Sequence, residues 1–317
     1  MRRILFLSIL LISLKASAQQ DILLSQYMFN HLAINPAYAG SKEYMQATLL
    51  YRNQWVNWSD APTTEVASVH TPIGMTNLGW GALISHDHEG VTDRTDLYAN
   101  FAYHLKVSEK LKLGMGLRGG VGYWVRDNQK IRDVFAHHPS EWDPNDPRFA
   151  GDNTSNFLPN VGAGLFLYSQ KFYAGLSAPE MLSYDPEKSL SVNTSTAKLI
   201  PHQVRHYFAT TGVVFEVSPD VAIKPSVLVK YTENAPVEAD LNLNVLLAQV
   251  LWIGGSYRTD DAFVALIELQ VTKKLRLGYS YDFTTTDINR FSDGSHEIML
   301  GYDFGYDVMK IKTPRYF

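Results

Sequence analysis

From Lys274 to Phe304 the chain alternates so regularly that few folds can hold it. Leu275, Leu277, Tyr279, Tyr281 and Phe283 stand against Arg276, Gly278, Ser280 and Asp282. After a polar link from Thr284 to Ser295, the set His296, Ile298, Leu300, Tyr302 and Phe304 stands against Glu297, Met299, Gly301 and Asp303. A two-residue period sends one set to each face of a strand. A single hairpin of this kind also suits a soluble sandwich. A chain that repeats it throughout, with aromatics near the strand ends, reads as a transmembrane barrel.

The pattern does repeat. Tyr44–Val56 carries Ala47, Leu49, Tyr51 and Trp55 on one face, and Thr95–Lys106 carries Leu97, Ala99, Phe101, Tyr103 and Leu105. Leu111–Asp127 is the longest case. Leu111, Leu113, Met115, Leu117, Val121, Tyr123 and Val125 face one way, against Lys112, Gly114, Gly116, Arg118, Gly120, Gly122 and Arg126. The glycines suit a crowded or sharply curved wall. A further strand begins at Pro159. In Val221–Thr232, Pro225 lacks a ladder donor, which predicts a bulge. About fourteen strands result. Every second link is short, and the intervening ones are mostly longer, notably Asn128–Leu158, Glu180–His202 and Thr284–Ser295. An up-and-down antiparallel β-barrel in an outer membrane sorts its links this way, with short periplasmic turns and long external loops. A Greek-key sandwich has no reason to do so.

The N-terminus agrees with export. Met1-Arg2-Arg3, an apolar stretch from Ile4 to Leu14 and Ala16-Ser17-Ala18 form a secretory signal peptide over residues 1–18. The expected organisation continues with a periplasmic or barrel-mouth segment over 19–43. The barrel follows over 44–305, and a periplasmic tail over 306–317. The chain has no cysteine, which excludes disulfides and thiolate chemistry, and its net charge of −4 carries no basic tract that would bind nucleic acid.

Candidate chemistry is sparse. His86-Asp87-His88-Glu89 could serve a metal or a hydrolase, or form a plain polar loop. His137-His138 with Glu141, Asp143, Asp146 and Asp152 lacks calcium-loop spacing. No phosphate-binding, dinucleotide or nucleophile-elbow motif is present. No enzyme and no cofactor is expected. Inward charges at Lys112, Arg118, Arg126, Lys224, Lys230, Asp240, Asp282 and Asp303 suggest a polar lumen, either conducting or plugged.

Ser25-Gln26-Tyr27-Met28-Phe29-Asn30, then Ile34-Asn35-Pro36-Ala37-Tyr38-Ala39-Gly40, then Tyr51-Arg52-Asn53-Gln54-Trp55 closely resemble the opening of the PorP/SprF family. Asn77-Leu78-Gly79-Trp80-Gly81, Tyr103-His104-Leu105-Lys106 and Pro314-Arg315-Tyr316-Phe317 fit the same pattern. The resemblance implies a non-enzymatic outer-membrane component of the type IX secretion system of Bacteroidota. Such a protein would support secretion or surface attachment of sorting-domain proteins, including adhesins and gliding machinery. The implied partners are a periplasmic ring lipoprotein and its companion, an OmpA-like peptidoglycan-binding protein, the secreted proteins themselves, and outer-membrane lipid. Arg52, Gln54, Trp55 and the blocks Ser25–Asn30 and Asn35–Gly40 become the partner-binding candidates, since Tyr27, Phe29 and Tyr38 could anchor an interface. Equally, those aromatics could pack inside the barrel as a plug. A porin or solute channel is the alternative function.

Overall fold

The structure, a computed structural model, describes residues 24–136, 153–183, 204–233, 235–305 and 316. The signal peptide and the stretch from His137 to Asp152 lie outside these. The wall runs β1 (Met45–Asn53), β2 (Thr63–Pro72), β3 (Leu78–Glu89), β4 (Thr92–Lys106), β5 (Lys112–Arg126), β6 (Thr154–Tyr168), β7 (Phe172–Ala178), β8 (His206–Val213), β9 (Phe215–Ser218) and β10 (Val221–Thr232). It continues with β11 (Glu238–Leu247), β12 (Leu251–Arg258), β13 (Ala262–Gln270), β14 (Leu275–Thr284) and β15 (Ser295–Phe304). Sequential strands pair antiparallel. Both β8 and the short β9 pair with β10, so they share one place in a closed barrel of 14 wall positions. Closure is made by β15 on β1, from Met45 opposite Phe304 to Asn53 opposite His296.

The alternation sorts as expected. Leu97, Phe101, Leu117, Leu277, Phe283 and Ile298 are exposed on the outer wall, while Asn100, Arg118, Ser280, Asp282 and Glu297 are buried inside. In water such an apolar exterior would be a liability, whereas in lipid it is the required surface. Aromatics mark both rims. At the end of long links, Tyr123 lies 4.7 Å from Phe157, Tyr257 4.9 Å from Phe263, and Tyr281 4.4 Å from Phe283, between ring centroids. Trp80, Tyr103, Tyr302 and Phe304 mark the other end. These are the interfacial girdles of a membrane barrel. The long links β1–β2, β5–β6, β7–β8 and β14–β15 all lie at the first of these ends, beside the short β3–β4 and β12–β13 turns. Every link at the other end is short, which by the loop-length rule makes that other end the periplasmic one.

Three details depart from the sequence reading. At Pro225 there is a gap in the ladder and no bulge. Gly212 opposes Ser226 and Phe215 opposes Ile223, so the register holds across the break, and the shift comes instead between Val221 and Ala222. Proline withholds its hydrogen bond without adding a residue. The first strand stops at Asn53, and Trp55 follows in the left-handed region at φ 50°. Strand β6 starts five residues before Pro159. Strand β7 pairs with β6 only from Ala163, so Pro159 lies outside that ladder, where proline is tolerated. A helix, α1 (Asn128–Ala136), occupies part of the β5–β6 link.

Candidate functional site

The lumen is filled by the chain's own lead-in. Residues 24–42 enter the barrel as three consecutive 3-10 turns, Tyr27–Phe29, His31–Ala33 and Pro36–Tyr38. Local chemistry fixes the last of them. The Asn35 side chain accepts from the Ala37 amide at 2.9 Å and Pro36 takes the first helical position, the cap arrangement both residues favour. Gly40 then turns the chain at φ 72°, where a side chain would be strained.

The wall supplies the hydrogen bonds this short segment cannot make for itself. Arg118 Nη2 donates to Leu32 O at 2.5 Å and Nη1 to Ala33 O at 3.2 Å, and Ser177 Oγ donates to Ile34 O at 2.7 Å. Asn35 Nδ2 reaches Leu165 O at 3.0 Å, and a His104 ring nitrogen stands 2.8 Å from Ala39 O. Buried backbone left unpaired would cost about 1–3 kcal/mol per group, so these bonds set where the segment can sit. Aromatic packing completes the fit. His31 lies 4.9 Å from Tyr173, 5.3 Å from Tyr38 and 5.7 Å from Phe166, ring centre to ring centre. Burial, with Lys224 and Lys42 adding to it, holds the His31 imidazole down at about 3, so it stays neutral at physiological pH.

Near the external end an ion cluster grips the start of the segment. The Ser25 and Gln26 amides donate to the Glu297 carboxylate at 2.8 and 2.7 Å, and Ser25 Oγ donates to Asp282 at 2.7 Å. Arg52 bridges Asp282 at 2.8 Å and Glu297 at 3.4 Å. Arg258 meets Asp240 at 3.1 Å, Asp261 at 3.1 Å and Asp282 at 3.4 Å. Charges buried like this need mutual partners, and here each carboxylate named has at least one arginine or backbone donor. Deeper in, Asn242 donates to the Tyr27 hydroxyl at 2.7 Å and Ser68 to Asn30 at 3.0 Å.

Above the cluster, at the external end, opens a vestibule of about 790 Å³. Gln54 and Trp55 line it, with Asp87, Glu89, Lys230, Glu238 and Asp261 among others. Of the fifteen candidate positions, Ser25–Asn30, Asn35–Gly40 and Arg52 are thus buried in the lumen, and only Gln54 and Trp55 face an open space. Because the chain has no cysteine, single replacements report access cleanly. Cysteine at Gln54 should react with an impermeant maleimide on whole cells. Met28→Cys, at a fully buried position, should react only after denaturation.

The tetrad His86-Asp87-His88-Glu89 does not converge. Strand alternation turns His86 and His88 outward, where His88 pairs with Asp93 at 2.7 Å, and turns Asp87 and Glu89 toward the vestibule. No group of three or more potential metal ligands occurs among the described residues.

The sequence reading missed what the lumenal glycines are for. A Cβ on Gly116 would lie 2.2 Å from Ala37 N, one on Gly79 2.2 Å from Ala39 O, and one on Gly164 2.1 Å from Asn35 Oδ1. These glycines mark the footprint of the plug. The signal was present in Gly114, Gly116 and Gly79, whose absent side chains leave room for something to approach.

A closed barrel with an apolar belt, two aromatic girdles and a plugged polar lumen defines an outer-membrane β-barrel protein. Residues 16–302 match the family described as type IX secretion system membrane protein PorP/SprF, and the chain belongs to that family. No curated protein matched it in sequence. Among solved structures it is similar to the CymD monoaromatic hydrocarbon channel, at 14% identity, 89% of this chain, 93% of that one and a TM-score of 0.45. It is also similar to outer membrane protein Omp33 of Acinetobacter baumannii, at 10% identity, 84% of this chain, all of that one and a TM-score of 0.44. The toluene transporter TodX of P. putida gives 10% identity, 87% of this chain, 94% of that one and a TM-score of 0.43.

Proposed function

We propose that this chain serves type IX secretion as a closed outer-membrane anchor. It supports secretion or surface attachment of sorting-domain proteins, and its periplasmic face tethers the ring lipoprotein with its companion and the OmpA-like peptidoglycan-binding protein. The observation that carries this reading is the plug. A lead-in bonded to the wall from Ser25 to Gly40 leaves little for a solute to pass through, which favours a scaffold over a porin.

On this reading the family blocks act indirectly. Tyr27, Phe29 and Tyr38 set the shape of the lumen, and partners meet the external rim around Gln54 and Trp55 or the periplasmic turns. A strain lacking the gene should lose surface display of at least one sorting-domain protein, measured by protease shaving and mass spectrometry, and recover it on complementation. Unchanged display of every such protein would refute the proposal.

A further inference from the structure

Tyr316 is seated at the periplasmic end by two hydrogen bonds of different origin. Its carbonyl oxygen accepts from Lys224 Nζ at 2.8 Å, and its hydroxyl donates to Glu216 Oε1 at 2.9 Å. The residue is buried and belongs to the same apolar cluster as Phe29, Leu246 and Trp252. Lys224 is itself fully enclosed, with its ammonium 4.7 Å from the centre of the Trp252 ring and 5.1 Å from that of Phe29. Ring faces alone do not replace the water an ammonium loses on burial, so a carbonyl dipole at hydrogen-bond distance is a needed partner.

The location coincides with the weakest part of the wall. The ladder between β8–β9 and β10 lapses opposite Lys224 and Pro225, and all four residues of β9 are exposed. A strand this short, joined across a break and lacking buried side chains, should open locally at little cost. Glu216 belongs to β9 and Lys224 to β10. Tyr316 therefore ties together the two strands that the interrupted ladder leaves loosely joined. Glu216 also holds Lys171, in the β6–β7 turn, at 2.5 Å, which carries the tie one hairpin further round the rim.

We propose that the periplasmic mouth contains a binding site for an aromatic residue presenting its backbone carbonyl, formed by Lys224, Glu216, Phe29 and Trp252. Tyr316 of this chain is the resident ligand, and its seating clasps β9 to β10. The site is independent of the secretion reading, because it rests only on the wall and the plug.

Hydrogen exchange followed by mass spectrometry on the full chain in detergent tests this. Tyr316→Ala should speed exchange about tenfold at amides of β9 and of the β9–β10 turn, with the β13–β14 turn unchanged. Lys224→Met should do the same, and the double variant should add nothing, as expected when either change alone unseats residue 316. Tyr316→Phe, which keeps the ring and loses only the hydroxyl bond to Glu216, should fall between. Should Lys224→Met fail to fold, a chain shortened after Gly305 gives a second route. Adding a synthetic peptide of residues 306–317 should restore slow exchange at β9, and a scrambled peptide should not. Unchanged exchange in Tyr316→Ala, or equal protection by the scrambled peptide, would overturn the assignment.

Discussion

Gly116→Val should destabilise the folded barrel by about 3 kcal/mol, while Gly119→Val three residues along the same strand should cost almost nothing. The two positions share a strand and a residue type, and they differ in what lies beyond the missing side chain. At Gly116 a Cβ would meet Ala37 N, Ala37 Cα and Pro36 C at 2.2, 2.4 and 2.5 Å, all backbone of the plug. Backbone held by Asn35, by the Pro36 ring and by bonds to Leu165 and His104 cannot shift by a few tenths of an ångström without losing those bonds. At Gly119 nothing lies within 4 Å. Valine is moreover a better strand residue than glycine, so the control should hold or gain stability. The measurement is the midpoint of urea unfolding in detergent, read from the mobility shift of the folded barrel. Equal midpoints for both variants would mean that the plug does not press on the wall at Gly116.

The same contact explains which parts of the molecule were legible in its sequence. Strand alternation assigned the lipid and lumen faces of β4, β5, β14 and β15 residue by residue, because burial in a barrel follows the pleat with little exception. Pairing of the closing hairpin with the first strand was also readable, since an up-and-down order leaves no other partner. The lead-in was not. Ser25 to Gly40 has neither a period of two nor one of 3.6, and its turns are held by long-range bonds from six or more strands rather than by local preference. Arg52 stood in the sequence as a partner-binding candidate, Asp282 as one of several inward charges and Glu297 as a plain polar position of its strand. Only their convergence on Ser25 and Gln26 shows that Asp282 and Glu297, 257 and 272 residues along the chain from Ser25, hold this segment together with Arg52.

Pro225 and Pro159 were misread for a related reason. A proline announces a missing donor but does not say whether the partner strand will bulge, stop or be absent at that level. At Pro225 the partner lapses and resumes in register, and at Pro159 the β7 ladder has not yet begun. Strand ends drifted likewise. Thr92–Arg94 and Thr154–Asn156 are polar and lie beyond the aromatic rim, so hydropathy gave no sign that the ladder continues there.

Removing residues 24–42 should convert the closed barrel into a conducting one. The segment occupies the lumen at the level of Arg118, Asn242 and Phe166, and without it the inward charges of Arg52, Arg118, Arg258, Asp240, Asp282 and Glu297 would face water. The emptied wall should tolerate the loss. Its 14 positions are closed by main-chain bonds that do not pass through the plug, and the opposed arginines and carboxylates still pair with one another. Arg118 is the exception, since Leu32 and Ala33 supply its carbonyl partners, and water would have to replace them.

The most direct measurement is single-channel recording of the purified intact chain in a planar bilayer, beside the form lacking residues 24–42. Steady silence from the intact chain and stable openings from the shortened one are the predicted result. Steady openings of the intact chain, with the plug in place, would contradict the account and return the protein to the class of solute channels.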